Sequence, residues 1–273
     1  MPELPEVETV CRGLDKVYQG QTITKVEYRR PNLRLPLPPQ LPKLAAGKKI
    51  EKIYRRAKYA LLDIQGGNTI LLHLGMSGRL VFGKGERHLD KHDHVLVHFK
   101  NAPTLIFNDP RRFGVLDVCK TTKIADHALL KNMGPEPLEK DFTAAYLYAA
   151  TRGKKGPIKP FIMTNAVVVG VGNIYAAESL FKAGIKPTRA SGSLTKTECS
   201  KLVKAIQEVL KAAIKAGGSS IRDYVQTDGT VGYFHSQFMV YGRKGAACKI
   251  CGSTIKEIVQ AGRSGCYCPK CQK

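Results

Sequence analysis

"EVETVCRGLDKVYQGQTITKVEY" (6–28) changes its period midway, and that change sets the fold class. From Glu6 to Tyr18 the apolar residues Val7, Val10, Cys11, Leu14 and Val17 form the stripe of a helix packed on one face. Gly20 is placed to stop it. Beyond Gly20 the repeat is two, in "TITKVEY" (22–28), "YALLDI" (59–64), "TILLHL" (69–74), "HVLVHF" (94–99) and "TLIF" (104–107), with "QGGN" and "KNAP" as turns. Side chains of a strand alternate between two faces, so residues 20–120 read as antiparallel hairpins of a β-sandwich or barrel.

The polar, proline-marked stretch "NMGPEPLEKD" (132–141) is a candidate boundary, and the pattern beyond it is helical. Thr195 and Glu198 make a capping box ahead of the apolar face Leu202, Ile206, Val209 and Ala213, with Gly217 as the stop. "GVGNIYAAESLFKAG" (170–184) predicts a second helix with Asn173 as N-cap and Gly184 at its end. An α+β chain results: 1–133 as an N-terminal helix and β-domain, 134–236 as a helical domain, and 237–273 as a terminal unit.

The 273 residues carry 44 Lys and Arg against 22 Asp and Glu, a net charge of +22 spread along the chain. Such a field favours a polyanionic partner, although a soluble basic protein has the same composition. The longest aliphatic runs fall far short of the ~20 residues of a spanning helix, and the acidic, proline-rich start is not a signal peptide. Nucleic acid is therefore the expected partner, and a membrane is not.

Four of the eight cysteines, Cys248, Cys251, Cys268 and Cys271, form C-x2-C-x16-C-x2-C, the spacing of two knuckles around one tetrahedral Zn2+. Four thiolates leave no open position for water, so the zinc is structural and the finger reads as a β-hairpin. Cys266 lies two residues before Cys268 and competes as a ligand. The scattered Cys11, Cys119 and Cys199 point to a reducing compartment. Residues 239–273 hold seven basic side chains and one acidic, which suits a ribbon lying on a nucleic-acid backbone or a solvated charged face.

Several loops could carry chemistry. "GVGN" (170–173) before a helix offers converging amides for a phosphate, as well as room for a tight helix turn. "HLGMSGRL" (73–80) and "NDPRRFG" (108–114) place Met76, Arg111 and Phe113 after strands, where they are core residues or wedges for a base stack. His92 and His94 in "KHDH" (91–94) are a metal pair or a solvent and phosphate contact. At the start, removal of Met1 ahead of Pro2 exposes a secondary amine able to attack a sugar carbon, with Glu3 as acid or base. The same Pro-Glu pair also serves as a plain helix lead-in.

Together these stretches resemble the formamidopyrimidine-DNA glycosylase family over essentially the whole chain. The motifs "PELPEVETV", "RRAKYALL", "HLGMSG", "DKHDH", "DPRRFG", "MGPEPL", "GVGNIYAAESLF", "GGSSIRDY", "VYGRKG" and the four-cysteine finger occur in the family's order. The resemblance implies a β-sandwich, a helix-two-turn-helix domain, one structural zinc, and a monomer acting on damaged double-stranded DNA in the bacterial cytoplasm, on the nucleoid. It implies removal of oxidised purines with abasic-site β,δ-elimination, Pro2 being the Schiff-base nucleophile and Glu3 the acid. Lys58 and Arg263 resemble the family's proton-transfer and phosphate residues. Met76, Arg111 and Phe113 match the void-filling triad, and His73, His92, Arg152, Asn173 and Tyr241 match DNA contacts. Glu6, with Ser219, Ser220, Ile221, Arg222 and Tyr224 in the loop 217–234, matches the lesion pocket. Thr164 and the small "SGC" after Arg263 depart from the usual pattern.

Two other readings share much of this pattern. An endonuclease VIII-like enzyme for oxidised pyrimidines usually begins Pro-Glu-Gly-Pro and lacks the Met/Arg/Phe set. A non-catalytic zinc-containing DNA binder predicts no covalent intermediate.

Overall fold

The protein is described from a computed structural model, covering residues 1–83, 89–219 and 233–273. It divides into two units, Met1–Lys131 with Ala216–Tyr233, and Asn132–Lys215 with Phe234–Lys273.

The first unit opens with helix α1, Leu4–Tyr18, followed by strand β1, Ile23–Tyr28, and a short helix α2, Leu41–Ala45. Helix α1 starts three residues before Val7, the first residue of the apolar stripe, because Glu3 is its N-cap and Pro5 sits in the first turn. Seven strands follow: β2 Ile50–Arg56, β3 Tyr59–Ile64, β4 Asn68–His73, β5 Arg79–Gly83, β6 Asp93–Phe99, β7 Thr104–Asn108 and β8 Val115–Lys120. They form two four-stranded antiparallel sheets, β1-β6-β7-β5 and β2-β3-β4-β8. Both inner faces and the stripe Val7, Val10, Cys11 and Leu14 share one buried core, so the arrangement is a sandwich with α1 packed against it.

Only β3–β4 and β6–β7 are paired as the hairpins that the alternation suggests, whereas β1–β6, β4–β8 and β5–β7 are long-range pairings. Strand β2 escapes a period-two reading because its apolar residues Ile50, Ile53 and Tyr54 do not alternate with its charged residues Glu51, Lys52, Arg55 and Arg56.

The second unit holds helices α3 Ala144–Thr151, α4 Ile158–Ile162, α5 Asn173–Ala183 and α6 Lys196–Lys215, then the hairpin β9 Lys256–Gln260 and β10 Arg263–Tyr267. The capping box at α6 forms, with the Thr195 amide donating to Glu198 Oε2 at 2.8 Å and the Glu198 amide to Thr195 Oγ1 at 3.2 Å. Gly184 ends α5 in the left-handed conformation, φ +73. The cap at the other end of α5 differs from expectation: Gly172 is the N-cap and Asn173 is already the first helical residue, which frees its side chain. Among the described residues no helix is long and apolar enough to cross a membrane.

Candidate active site

In the first unit the chemistry-bearing residues gather at the start of α1. Glu3 has extended backbone, and its carboxylate accepts from the Glu6 amide while the Glu3 amide donates to Glu6 Oε2 at 2.8 Å. This reciprocal pair fixes residue 2 at the positive end of the helix, where Pro2 is buried. Glu6 has a second set of partners, accepting at Oε1 from the Ser219 amide at 2.7 Å and the Ser219 hydroxyl at 3.0 Å. The expected pocket residues Ser220, Ile221, Arg222 and Tyr224 lie outside the described residues.

Lys58 occupies the second position of a two-residue turn joining β2 and β3, and it is 9% exposed. Ala57 ahead of it has φ +54, a left-handed conformation that costs a non-glycine residue about 1–3 kcal/mol unless its surroundings impose it. His73, the last residue of β4, is the cross-strand partner of Tyr59, with ring centroids 4.7 Å apart. Burial, with the charges of Lys58 and Arg34, pushes the His73 imidazole down to about 4, so the ring is neutral. Its Nδ1 accepts from the Gly75 amide at 3.0 Å, which assigns the ring proton to Nε2.

The two loops expected to hold wedges do expose them: Met76 is 40% and Phe113 42% exposed. Arg111 lies over the Phe113 ring at 5.0 Å. What organises the loops was not foreseen, because a lone aspartate leaves no periodic signal. Asp109, fully buried, accepts from Ser77 Oγ at 2.8 Å and from the Gly114 amide at 2.7 Å, and the Arg111 amide donates to Ser77 Oγ at 3.1 Å. Gly75, φ +64, lies under Phe113, where a Cβ would stand 2.4 Å from the Phe113 carbonyl carbon. His94 turns inward onto the Asp109 carbonyl at 2.9 Å and His92 is half-buried, and among the described residues no third metal-binding side chain joins them. Among the described residues, only the four finger cysteines group three or more metal-binding side chains.

In the second unit Asn173 accepts a hydrogen bond from Lys159 Nζ and donates to the Ser264 carbonyl at 2.8 Å, which joins α5, α4 and the hairpin. Lys159 is 1% exposed. A buried ammonium beside a helix N-terminus is a donor set for an oxyanion. Gly265 makes room for it, since a Cβ there would lie 3.0 Å from Lys159 Cε. Tyr241 is held through its amide: the buried Glu178 accepts from the amides of Met239, Val240 and Tyr241 at 2.9, 3.0 and 2.8 Å. Arg263 follows the turn Ala261–Gly262, both residues at positive φ, which is the geometry of a two-residue hairpin. The Arg152 guanidinium is engaged with Tyr148 O, Thr151 Oγ1 and Leu194 O.

The sulfurs of Cys248, Cys251, Cys268 and Cys271 all lie within 4.8 Å of one another, with pairs at 3.5 and 3.9 Å. Four sulfurs bound tetrahedrally at the usual Zn–S length stand about 3.8 Å apart, so the residues fit zinc. Cys266 instead faces the finger's apolar core with Val240 and Ile255.

Three family models match in turn: formamidopyrimidine-DNA glycosylase N-terminal domain over residues 1–116, formamidopyrimidine-DNA glycosylase H2TH domain over 133–225, and zinc finger found in FPG and IleRS over 245–273. Formamidopyrimidine-DNA glycosylases of Dinoroseobacter shibae and Thioalkalivibrio sulfidiphilus are 47% and 48% identical, each alignment covering 100% of both chains. The chain belongs to the formamidopyrimidine-DNA glycosylase family. It is a DNA glycosylase of base-excision repair with one structural zinc. Solved structures agree. The complex between the Lactococcus lactis Fpg and an abasic site containing DNA has a TM-score of 0.92 at 37% identity, covering 99% of each chain. The Thermus thermophilus protein has a TM-score of 0.90 at 37% identity, covering 99% of this chain and 98% of that one.

Proposed function

We propose that the chain excises oxidised purines, 8-oxoguanine opposite cytosine and formamidopyrimidines, from double-stranded DNA and then cleaves the abasic site by β,δ-elimination. It does so as a monomer in the cytoplasm, on nucleoid DNA. The observation that carries this reading is the reciprocal Glu3–Glu6 cap, which holds residue 2 buried at the positive end of α1.

With Met1 removed, Pro2 presents a secondary amine there. Its nitrogen attacks the sugar C1′, the bond from C1′ to the base breaks, and the base departs with the proton that the amine gives up. Glu3 gives a proton to the ring oxygen as the C1′–O4′ bond opens, leaving an iminium ion. Lys58 carries the proton traffic of the elimination, in which a C2′ proton is lost and the 3′ phosphate leaves. Arg263 assists the second elimination, which releases the 5′ phosphate.

The segments divide this work, with 1–133 carrying the chemistry, 134–236 the helical grip and the lesion loop, and 237–273 the zinc-stiffened ribbon. On the first unit Met76, Arg111 and Phe113 fill the gap left by the everted base, and filling it offsets part of the few kcal/mol that flipping costs. His73 and His92 face the DNA backbone, and Glu6 with Ser219 to Ser220, Ile221, Arg222 and Tyr224 lines the lesion pocket. On the second unit Asn173, Tyr241, Arg152 and Lys159 take phosphates. Single-turnover base release from matched duplexes carrying 8-oxoguanine or an oxidised pyrimidine tests the substrate class. The purine is expected to be the faster substrate; faster release of the pyrimidine contradicts the reading.

A further inference from the structure

Lys58 sits in a turn that its own sequence does not favour. The turn has positive φ at its first central residue, Ala57, and not at Lys58, the pattern for which glycine is the usual first residue. Ala57 is fully buried, so the conformation is imposed from around it. One of the groups that imposes it is Arg55, whose Nη1 donates to the Ala57 carbonyl at 3.0 Å. The same guanidinium places Nε 3.0 Å from Glu8 Oε2, with the Arg55 side chain 9% and the Glu8 side chain 23% exposed. Glu8 belongs to α1, and its other oxygen is held by Arg12 Nε at 2.9 Å. A second link is weaker: Cys11 Sγ lies 3.5 Å from the Tyr54 carbonyl.

The guanidinium thus spans from the helix that carries Pro2 and Glu3 to the peptide immediately before Lys58. A lysine ammonium on a four-carbon stem is a mobile point charge, whereas the planar guanidinium fork has fixed angles, so the fork can set a position that a lysine at residue 55 cannot. Pairing with Glu8 also keeps the mostly buried cation in place.

We propose that Arg55 and Glu8 are positioning residues that hold Lys58 in register with the helix bearing Pro2 and Glu3. The proposal rests on Lys58 acting in the reaction, as set out above. Each acts through Lys58.

The test compares Arg55→Lys, Glu8→Gln, Lys58→Ala and the combination Arg55→Lys with Lys58→Ala in the full zinc-loaded chain. Base release and strand cleavage are timed separately under single turnover on an 8-oxoguanine duplex, alongside DNA affinity and thermal midpoint. Displacement by an ångström costs up to about a hundredfold in rate. Arg55→Lys is therefore expected to slow the step that Lys58→Ala slows, by about ten- to a hundredfold, with the ratio of the two steps shifted in the same direction and DNA affinity retained. Glu8→Gln repeats the pattern more weakly, and the combined variant is no slower than Lys58→Ala alone. Losses spread equally over both steps, or losses that add in the combined variant, overturn the proposal. If Lys58→Ala leaves both steps intact, the role given to Lys58 falls first, and this proposal falls with it.

Discussion

Glu6 and Ser219 are 213 positions apart in sequence and meet through two hydrogen bonds to one carboxylate oxygen, from the amide at 2.7 Å and the hydroxyl at 3.0 Å. The other oxygen holds the Glu3 amide at 2.8 Å. The whole carboxylate therefore faces donors. Glu6→Gln keeps the size but turns an NH2 group toward an N–H or O–H donor whichever way the amide lies. A buried donor left facing another donor costs about 1–3 kcal/mol. Urea unfolding should show that loss, with slower base release, because the Glu3 cap loosens with it. Unchanged stability would mean that the carboxylate is not satisfying these groups.

The wedge loops make a different prediction, since their tips are exposed and their base is buried. Phe113→Ala should change stability by no more than about 0.5 kcal/mol while slowing excision, since a 42% exposed ring adds little to the core. Gly75→Ala should do the reverse of a neutral change. It needs a left-handed alanine, at about 1–3 kcal/mol, and pushes a Cβ into the Phe113 backbone. Thermal melts and single-turnover excision separate the two variants.

Lys159 predicts a salt effect. If its buried ammonium takes a phosphate, Lys159→Ala should lower DNA affinity and reduce the slope of log K against log salt by about 0.9. Gly265→Ala, which crowds the same ammonium at 3.0 to 3.1 Å, should weaken binding in the same direction. Binding isotherms over a salt series check both, and an unchanged slope for Lys159→Ala removes it from the phosphate set.

How legible these features were in the sequence depended on whether they repeat or stand alone. The stripe Val7, Val10, Leu14 and the alternation in residues 59–64 and 69–74 are periodic, and the elements formed where the periods lie. The cysteine spacing was read for the same reason, because ligands to one ion must recur at fixed intervals. Strand β2 was hidden because its apolar residues Ile50, Ile53 and Tyr54 do not alternate, and α4 has too few residues to show a stripe. Asp109 and Glu178 were missed because each owes its role to partners brought together by folding. Asn173 was misplaced by one residue, because an asparagine before a helix reads as its cap whereas glycine can take that place without a side chain.

His73 predicts an acid-sensitive window. Its imidazole is held near 4 when folded and returns to about 6.5 when unfolded, so the unfolded chain binds the extra proton between those values. The contribution is present in full above about pH 6.5 and is lost as pH falls through 4. Unfolding free energy should decline across that interval, and His73→Gln should flatten this part of the decline. An unaltered profile in the variant would show that the ring is not the titrating group.

The covalent step gives the most direct test of all. A duplex carrying 8-oxoguanine opposite cytosine is incubated with the protein lacking Met1 in the presence of borohydride, and the trapped adduct is digested and mapped by mass. A stable protein–DNA adduct is expected, carried by the peptide that begins at Pro2. An adduct mapped to Lys58 or another lysine, or no adduct while base release proceeds, would contradict it.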